Sequence, residues 1–184
     1  MKSLIAFLII TASAIIANAQ DSRLKLNSLD HLATKASQSV DVNIDGRLMR
    51  MAAKVFDDND VEEQKIKQLI VGIKGIYVRS FEFEGDGQYT SADTEAIREQ
   101  LRGPGWTRMV DVKSKKEGDL EVYVLLNGEQ VGGLAVLSSQ VRELTIVNIV
   151  GPVDLDKLAD LEGRLGIPEL GIESKKSKTK NDEQ

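Results

Sequence analysis

Residues 106–150 read WTRMVDVKSKKEGDLEVYVLLNGEQVGGLAVLSSQVRELTIVNIV and contain four runs in which apolar residues dominate or alternate with polar ones. Alternation is typical of β-strands, because successive side chains point to opposite faces of a sheet. Short polar segments separate the runs, and Asn127-Gly128 is a strong signal for a two-residue hairpin turn. Strands joined by turns this short must pair antiparallel, since parallel pairing needs a longer crossover. The stretch therefore predicts a four-strand antiparallel meander.

Upstream of the meander, four segments have apolar residues at the spacing of amphipathic helices. These segments are 27–36, 46–56, 60–73 and 92–102. The residues expected to face inward are Leu29, Leu32, Ala33, Ala36, then Leu48, Met51, Ala52, Val55, then Ile66, Leu69, Ile70, Ile73, and finally Ile97 and Leu101. Thr90 or Ser91 is expected to cap the fourth helix, with Asp93 close to the positive end of its dipole.

Two more strands and a last helix complete the predicted fold. Residues 40–44 alternate strictly, and residues 76–84 are rich in strand formers, with a bulge or twist near Ser80 where the apolar parity slips. A fifth helix over 154–163 would follow Gly151-Pro152, a pair that ends a strand. It would place on one side Leu155, Leu158 and Ala159, with Leu161 and Leu165 adjoining. Together the elements predict an α+β two-layer sandwich, an antiparallel sheet with helices on one face.

The first twenty residues, MKSLIAFLIITASAIIANAQ, have the three parts of a secretion signal. Lys2 supplies the early charge, residues 4–16 are apolar apart from a threonine and a serine, and Ala17 and Ala19 are the small residues that a signal peptidase reads. The apolar run is shorter than the roughly 20 residues that span a bilayer, which favours cleavage over a retained anchor. We expect cleavage after Ala19, a mature chain that starts at Gln20, and a periplasmic or extracellular location.

Composition sets the remaining bounds. The predicted organisation is a signal peptide at 1–19, a single α+β domain at 25–170 and a disordered charged tail at 171–184, which has hardly any apolar residue to bury. The lysines of the tail could dock on an anionic surface, or the tail could simply be solvated. A net charge of −5 argues against general nucleic-acid binding. No second apolar stretch is long enough to span a membrane, so the mature chain is expected to have no transmembrane segment.

Two motifs suggest ligand chemistry and fit it poorly. The acidic run from Asp57 to Glu63 resembles a calcium loop, but Glu63 occupies the position of the required glycine. Helix capping by Asp60 explains this run better. Gly85-Asp86-Gly87 echoes a dinucleotide-binding loop, but one G-x-G is weak evidence, and a turn is the favoured interpretation.

The candidate reactive side chains are equally sparse. His31 is the only histidine, and it is expected at the surface edge of its helix. Ser138 or Ser139 could serve as a nucleophile, but neither lies in a nucleophile-elbow motif. Glu82 and Glu84 project on one strand face, as paired catalytic carboxylates do, and a solvent-facing strand edge explains them as well.

Gly132-Gly133 interrupts an otherwise apolar strand. The missing side chains could admit a ligand or a neighbouring backbone, and a bulge or close helix packing is an equal alternative. Any pocket is expected beside these glycines.

The meander carries a resemblance to a known family. Trp106 opens a strand, and residues 143–161, ELTIVNIVGPVDLDKLADL, end the sheet with Gly-Pro before the last helix. With the export signal and the helical N-terminal half, the chain over about 25–170 resembles the bacterial family of domains of unknown function designated DUF4252. The resemblance implies an exported envelope protein of Gram-negative bacteria, and it transfers no active-site residue.

The sequence assigns no catalytic, cofactor-binding or metal-binding residue. We therefore expect a non-enzymatic binding module that contacts an envelope protein or a surface component through an uncovered sheet face or edge. A hydrolase with a carboxylate-based site and a small-ligand carrier remain the alternatives.

Overall fold

A computed structural model of the protein describes residues 22–56 and 59–154. Its strands are β1 (Gln38–Asp45), β2 (Gly75–Glu82), β3 (Trp106–Ser114), β4 (Gly118–Asn127), β5 (Gln130–Ser139) and β6 (Glu143–Val150). Its helices are a 3-10 helix (Asn27–Thr34), α1 (Gly46–Ala52), α2 (Val61–Gly72) and α3 (Ser91–Leu101). The predicted signal peptide, the charged tail and nearly all of the predicted fifth helix lie outside the described residues.

The six strands form one antiparallel sheet in the order β1-β2-β6-β5-β4-β3. The predicted meander is confirmed as β3 to β6, and β2 then adds beside β6 with β1 at the edge. A tight hairpin is present where predicted, but its two-residue loop is Gly128-Glu129, one residue later than expected, because Asn127 still pairs with Gln130 and Gly128 adopts a φ of +65°. The fold is therefore the expected α+β arrangement.

The covered face of the sheet carries the main core. Phe81, Leu137, Leu144 and Ile146 are almost fully buried there. Above them lie Leu24, Leu26, Leu29, Leu32, Ile97 and Leu101, from the N-terminal segment, the 3-10 helix and α3. Burying each such side chain contributes about 1.5–3 kcal/mol. The core on this face holds the sheet against the layer formed by the N-terminal segment, the 3-10 helix and α3.

The bulge predicted near Ser80 is wrong. The register of β2 runs without a break from Gly75 to Glu82 against both neighbouring strands. The parity slip arises because β2 is an interior strand, so both of its faces are apolar. Val78 belongs to one face and Phe81 to the other, and their spacing needs no extra residue.

The first predicted helix exists in a tighter form than expected. Residues 27–34 form a 3-10 helix, in which Leu29 and Leu32 are buried while Ala33 is exposed and Ala36 is half-buried. A 3-10 helix has three residues per turn, so Leu26, Leu29 and Leu32 stack in one line. The helix therefore follows the three-residue spacing of the buried leucines, and the two alanines predicted to face inward do not determine its form.

The inward stripe predicted for the second helix is wrong. Leu48, Met51 and Val55 are exposed, and the buried residues are Met49 and Ala53. Asp45 caps the helix by accepting from the backbone of Arg47 and Leu48, so α1 begins at Gly46. Gly46 lies against the carbonyl of Lys74, where a Cβ would come within 2.9 Å. Positions 46, 49 and 53 share one helix face, which turns the predicted stripe outward.

The other two helices follow their sequence pattern. In α2, Ile66, Leu69 and Ile70 are half-buried and Ile73, just after the helix, is buried. In α3, Ile97 and Leu101 are buried as expected. Thr90 precedes α3 as predicted, and the Asp93 carboxylate accepts from both the Thr90 N–H at 2.7 Å and its hydroxyl at 2.9 Å.

Branched apolar side chains line the opposite side of the sheet, which we call the valine face. Its described members are Val110, Val122, Val124, Val131, Leu134, Val136 and Ile149, with Val153 beyond the last strand. Gly151 turns the chain toward this face with a φ of +114°, where a Cβ would lie 2.7 Å from the Lys74 nitrogen. This confirms the expectation that glycine is required at the strand end.

Candidate functional site

β1 is an edge strand whose outward hydrogen-bonding groups can be assigned. The Phe83 N–H donates to Arg142 O, so odd-numbered residues of β2 bond to β6 and even-numbered ones bond to β1. The even-numbered β2 residues are opposite Gln38, Val40, Val42 and Ile44. The N–H and C=O groups of Ser39, Asp41 and Asn43 therefore point away from the sheet. No strand within 22–56 and 59–154 pairs with these groups, and the three residues define what is here called the free edge.

The other edge of the sheet is built to resist pairing. In β3 the register shifts between Arg108 and Val110, which leaves Met109 as a bulged residue. Arg108 forms an ion pair with Asp111 at 3.0 Å on the same strand. Bulges and charges on edge strands block the addition of another strand. β1 pairs without a shift over all its eight residues, so it lacks the first of these devices.

A groove of about 300 Å³ runs beside the free edge, between the N-terminal segment and strands β1 and β2. Asp41 and Asn43 form one wall, and Arg23 and Leu24 form the other, with Tyr77 between them. The Arg23 guanidinium lies 4.1 Å from the centroid of the Tyr77 ring, a cation–π contact that holds this wall in place. A second hollow of about 260 Å³ has Ser39 and Asp30 in its lining and shares Asp41 and Arg79 with the groove.

The charges along this groove are mixed. Arg79 is ion-paired with Asp41, and with Asp30 at 3.4 Å. The two carboxylates are largely exposed, so each pair contributes only about 0–1 kcal/mol. A polar groove beside a free strand edge suits an extended chain whose side chains alternate in character.

Asn148 fixes the N-terminal segment that forms the outer wall. Its side chain is fully buried, and its Oδ1 accepts from the Leu24 N–H at 2.9 Å. Its Nδ2 donates to Ser22 O at 3.0 Å and lies 3.3 Å from Leu134 O. Gln100 of α3 makes a similar pair of bonds to the backbone of Lys25. The side-chain amides of Asn148 and Gln100 thus make the backbone hydrogen bonds that a neighbouring strand would otherwise supply to this segment.

The space beside Gly132-Gly133 is filled by the protein itself. A Cβ on Gly133 would lie 3.2 Å from the Cβ of Ser22, and one on Gly132 would collide with the Asn127 side chain. Gly132 is also the bulged residue of β5 opposite the Leu125 to Leu126 step. At these glycines the structure shows a bulge and close approaches by Ser22 and by the Ile149 carbonyl, whereas the groove described above lies at β1.

Glu121 is the most enclosed acid described, and it is fully engaged. Its side chain, on the covered face, is 4% exposed. One oxygen accepts from Arg98 Nε at 2.7 Å and Nη2 at 2.6 Å, and the other accepts from the Tyr123 hydroxyl at 2.6 Å.

Burial alone would raise the pKa of Glu121, but these hydrogen bonds and the nearby arginine charges outweigh it and hold the pKa below 4.5. Burial and the Glu121 carboxylate raise the pKa of Tyr123 to about 12. Arg108 Nη1 also lies 3.6 Å from the second oxygen, so the cluster links α3 to the sheet and engages both carboxylate oxygens of Glu121 within the protein.

Replacing Glu121 by Gln tests the charge on this carboxyl group. Because the pKa of Glu121 is lowered in the folded state, its contribution is complete above pH 4.5 and is lost as the pH falls through the folded-state pKa. The stability gap between wild type and Glu121→Gln should therefore be larger at neutral pH and shrink below about pH 4.5. Urea denaturation at a series of pH values measures the gap, and a gap that stays constant on acidification contradicts the assignment.

His31 lies at the protein surface, as expected. Its side chain is 50% exposed, its Nε2 is 3.0 Å from the Asp93 carboxylate, and its Nδ1 is 3.0 Å from Ser28 O. Neither ring nitrogen contacts Ser138 or Ser139, so the geometry assembles no triad. The contact between His31 and Asp93 fastens the 3-10 helix to the start of α3. Burial alone would raise the pKa of Asp93, but hydrogen bonds from Thr90 and the imidazole outweigh it and lower the pKa.

Glu82 and Glu84 do not converge on one cleft. Glu82 lines a shallow depression with Asp86, Glu143 and Arg142, whereas Glu84 lines another with Lys35. Asp86 is bonded to Arg142 at 2.6 Å, in the turn that begins at Gly85. Gly87 has a φ of +69°, so the Gly-Asp-Gly motif is a turn, as expected.

The calcium hypothesis falls partly outside the structure, since Asp57 and Asp58 are not described. Asp60 accepts from the Glu63 N–H at 3.1 Å at the start of α2, which is the predicted capping role. Within 22–56 and 59–154, no three acidic or histidine side chains are grouped to hold a metal ion. Nor does any helix in these ranges combine the length and apolar character needed to cross a bilayer.

Sequence reasoning missed the buried polar residues Asn148 and Glu121 and the free edge of β1. Asn148 interrupts the apolar run LTIVNIV, and a lone polar residue at an inward strand position was the available signal. Glu121 carried the same signal in β4. No local sequence signal marks the free edge of β1, because strand order depends on pairing between distant segments.

The fold defines the class of protein: an α+β domain with a six-stranded antiparallel sheet, covered on one face by a 3-10 helix and α3. Residues 34–161 match the family described as "Domain of unknown function (DUF4252)". The chain therefore belongs to this family, in agreement with the resemblance noted from residues 143–161. No curated protein and no solved structure matches the chain.

Proposed function

We propose that this protein is an exported, non-enzymatic binding module that pairs an extended segment of a partner protein with the free edge of β1. The observation that carries the proposal is the outward-pointing backbone of Ser39, Asp41 and Asn43 beside an open groove. An added strand would gain main-chain hydrogen bonds from this edge, which is how strand addition obtains its affinity.

Side chains on either side of the edge supply the selectivity. Alternate residues of an added strand point to opposite faces. On one face they would meet Val40, Val42 and Ile44, and on the other they would enter the groove with Asp41 and Asn43. The partner segment should therefore alternate apolar residues with polar ones.

The described acids support a binding role over the hydrolase alternative. The carboxyl groups with a shifted pKa are Asp45, Asp93 and Glu121, and in each the pKa is lowered by hydrogen-bond donors or neighbouring positive charge. A general acid needs the opposite shift. The groove is open and partly polar, which also disfavours a carrier of small apolar ligands.

Export places the module where such a partner would be found. The tripartite signal at 1–19, with cleavage between Ala19 and Gln20, supports a periplasmic or extracellular location, in a chain whose domain spans 25–170 and whose tail spans 171–184. An envelope protein or surface component is then the partner, and nucleic acid is not.

Asn43→Pro tests strand addition in cells that export the full chain. Proline removes the outward N–H and leaves the β2-facing amides of Val42 and Ile44 intact, so photo-cross-linking from a reactive residue at Ser39 should fall about tenfold. Cross-linked peptides should map to an extended, alternating segment of one partner protein.

Asn43→Ala is the matched control, because it removes the same side chain and keeps the N–H. It should retain the wild-type adduct, and thermal unfolding should show that both variants are folded. The proposal is wrong if wild type gives no adduct, or if Asn43→Pro cross-links as well as Asn43→Ala.

A further inference from the structure

Three large apolar side chains of the α1 region are exposed together. Leu48, Met51 and Val55 are 48%, 58% and 84% exposed. Residues three and four positions apart share a helix face, so these side chains form one row along α1 and the turn that follows it, here the α1 stripe. Single exposed apolar residues are ordinary, whereas a grouped patch is typical of an interaction surface.

The described fold holds the α1 stripe away from the core. Met49 and Ala53, on the other side of the helix, are each only 4% exposed. Gly46 lies against the Lys74 carbonyl, where even a Cβ would come within 2.9 Å. Turning the stripe inward would break these contacts, so it stays on the surface.

A row of positive charges runs beside the α1 stripe. Arg47, Arg50 and Lys54 have the same spacing as the apolar side chains and come one residue earlier, so the two rows are adjacent. All three cationic side chains are exposed. The ion pairs described within 22–56 and 59–154 include none of them.

The described acids closest in sequence are engaged in helix capping. Asp45 accepts from two backbone N–H groups of α1, both at 2.9 Å, and Asp60 accepts from the Glu63 N–H at the start of α2. Residues 45–56 thus contain one capping acid and three cations. The surface of α1 is therefore positive beside its apolar row.

We propose that α1 docks the protein on a bilayer surface that carries anionic phospholipids. The α1 stripe would enter the headgroup region, while the three cations contact lipid phosphates. A short helix with an apolar side next to a cationic side binds the membrane interface in this way and does not cross the bilayer.

The position of α1 links this surface to the rest of the fold. Because α1 begins directly after β1, docking would hold the end of the free edge close to the membrane. The inference does not depend on the proposed function, because it concerns the helix and not the backbone groups of the edge.

Vesicle flotation of the full-length protein tests the proposal. Wild type should float with vesicles of phosphatidylglycerol and phosphatidylcholine, and binding to phosphatidylcholine alone should be at least about tenfold weaker. Each Lys or Arg near an anionic surface strengthens binding about fivefold, which corresponds to about 1 kcal/mol. Arg50→Gln combined with Lys54→Gln should therefore lower the partition coefficient by about thirtyfold. Leu48→Ser combined with Met51→Ser should lower it by about tenfold.

Matched controls change the same kinds of side chain elsewhere. Val141→Ser alters an apolar residue that is 53% exposed, and Lys115→Gln combined with Lys116→Gln removes two exposed cations from the turn between β3 and β4. Both controls should bind like wild type, and thermal unfolding should show that all variants are folded.

Two results would overturn the inference. Wild type that does not float with the anionic vesicles would assign α1 to another partner, such as an acidic protein. Binding of the α1 variants that equals binding of the controls would place the membrane contact elsewhere, for example on the lysines of the C-terminal tail, which every variant retains.

Discussion

Arg98→Met is expected to lower the free energy of unfolding by about 3–5 kcal/mol, the usual cost of removing one partner of a buried ion pair, and it leaves the Glu121 charge with only the half-exposed Arg108, 3.6 Å away, as a described cationic partner. Arg98 makes two close contacts with one oxygen of Glu121, and Arg98 also donates to Thr94 at 2.8 Å. Methionine has a similar length, so the packing of α3 on the sheet is largely kept while the charge is lost. Chemical denaturation of the two proteins at neutral pH measures the difference.

Two further variants isolate the electrostatic origin. Arg102→Met removes an exposed arginine that pairs with Glu95 on the same helix, and it should change stability by no more than about 1 kcal/mol. Adding Glu121→Gln to Arg98→Met should restore much of the loss, because the buried negative charge that lost its Arg98 partner is then gone. If the double variant is no more stable than Arg98→Met, the buried charge is not the cause.

Asn148→Ala is expected to cost about 2–4 kcal/mol and to release the outer wall of the groove. The change leaves the Leu24 N–H without its acceptor, removes the donor to Ser22 O and opens a cavity at a fully buried position. Hydrogen exchange of the Leu24 amide should accelerate about a hundredfold, since each tenfold corresponds to about 1.4 kcal/mol of local protection.

The control for this change is Asn43→Ala, which alters an exposed asparagine on the same side of the sheet. It should shift stability by no more than about 0.5 kcal/mol. Equal effects of the two substitutions would show that Asn148 does not anchor the N-terminal segment.

The strands and the helix positions were predictable because their signals are local. Alternation in 120–126 and the hairpin signal at Asn127-Gly128 each follow from a few neighbouring residues. The strand and the hairpin are confirmed, with the loop one residue later, at Gly128-Glu129. The stripe of α3 was predictable for the same reason. Its inward residues, Ile97 and Leu101, belong to the main core on the covered face.

The errors share one physical cause, which is that packing partners distant in sequence decided the outcome. The close approach of Gly46 to Lys74 rotates α1 and exposes Leu48. Because β2 lies between β1 and β6, it is apolar on both faces, and this produces the slip in apolar parity that suggested a bulge at Ser80. The candidate site depends on the same kind of information, because only strand order shows that β1 has a free edge.

Residue-resolved amide hydrogen exchange along β1 in the full-length protein tests the central claim most directly. The amides of Val40, Val42 and Ile44, bonded to β2, should exchange slowly, while those of Ser39, Asp41 and Asn43 should exchange at rates close to those of solvent-exposed backbone. Uniform protection of all six amides would show that the outer edge of β1 is already paired, and that no strand can be added there.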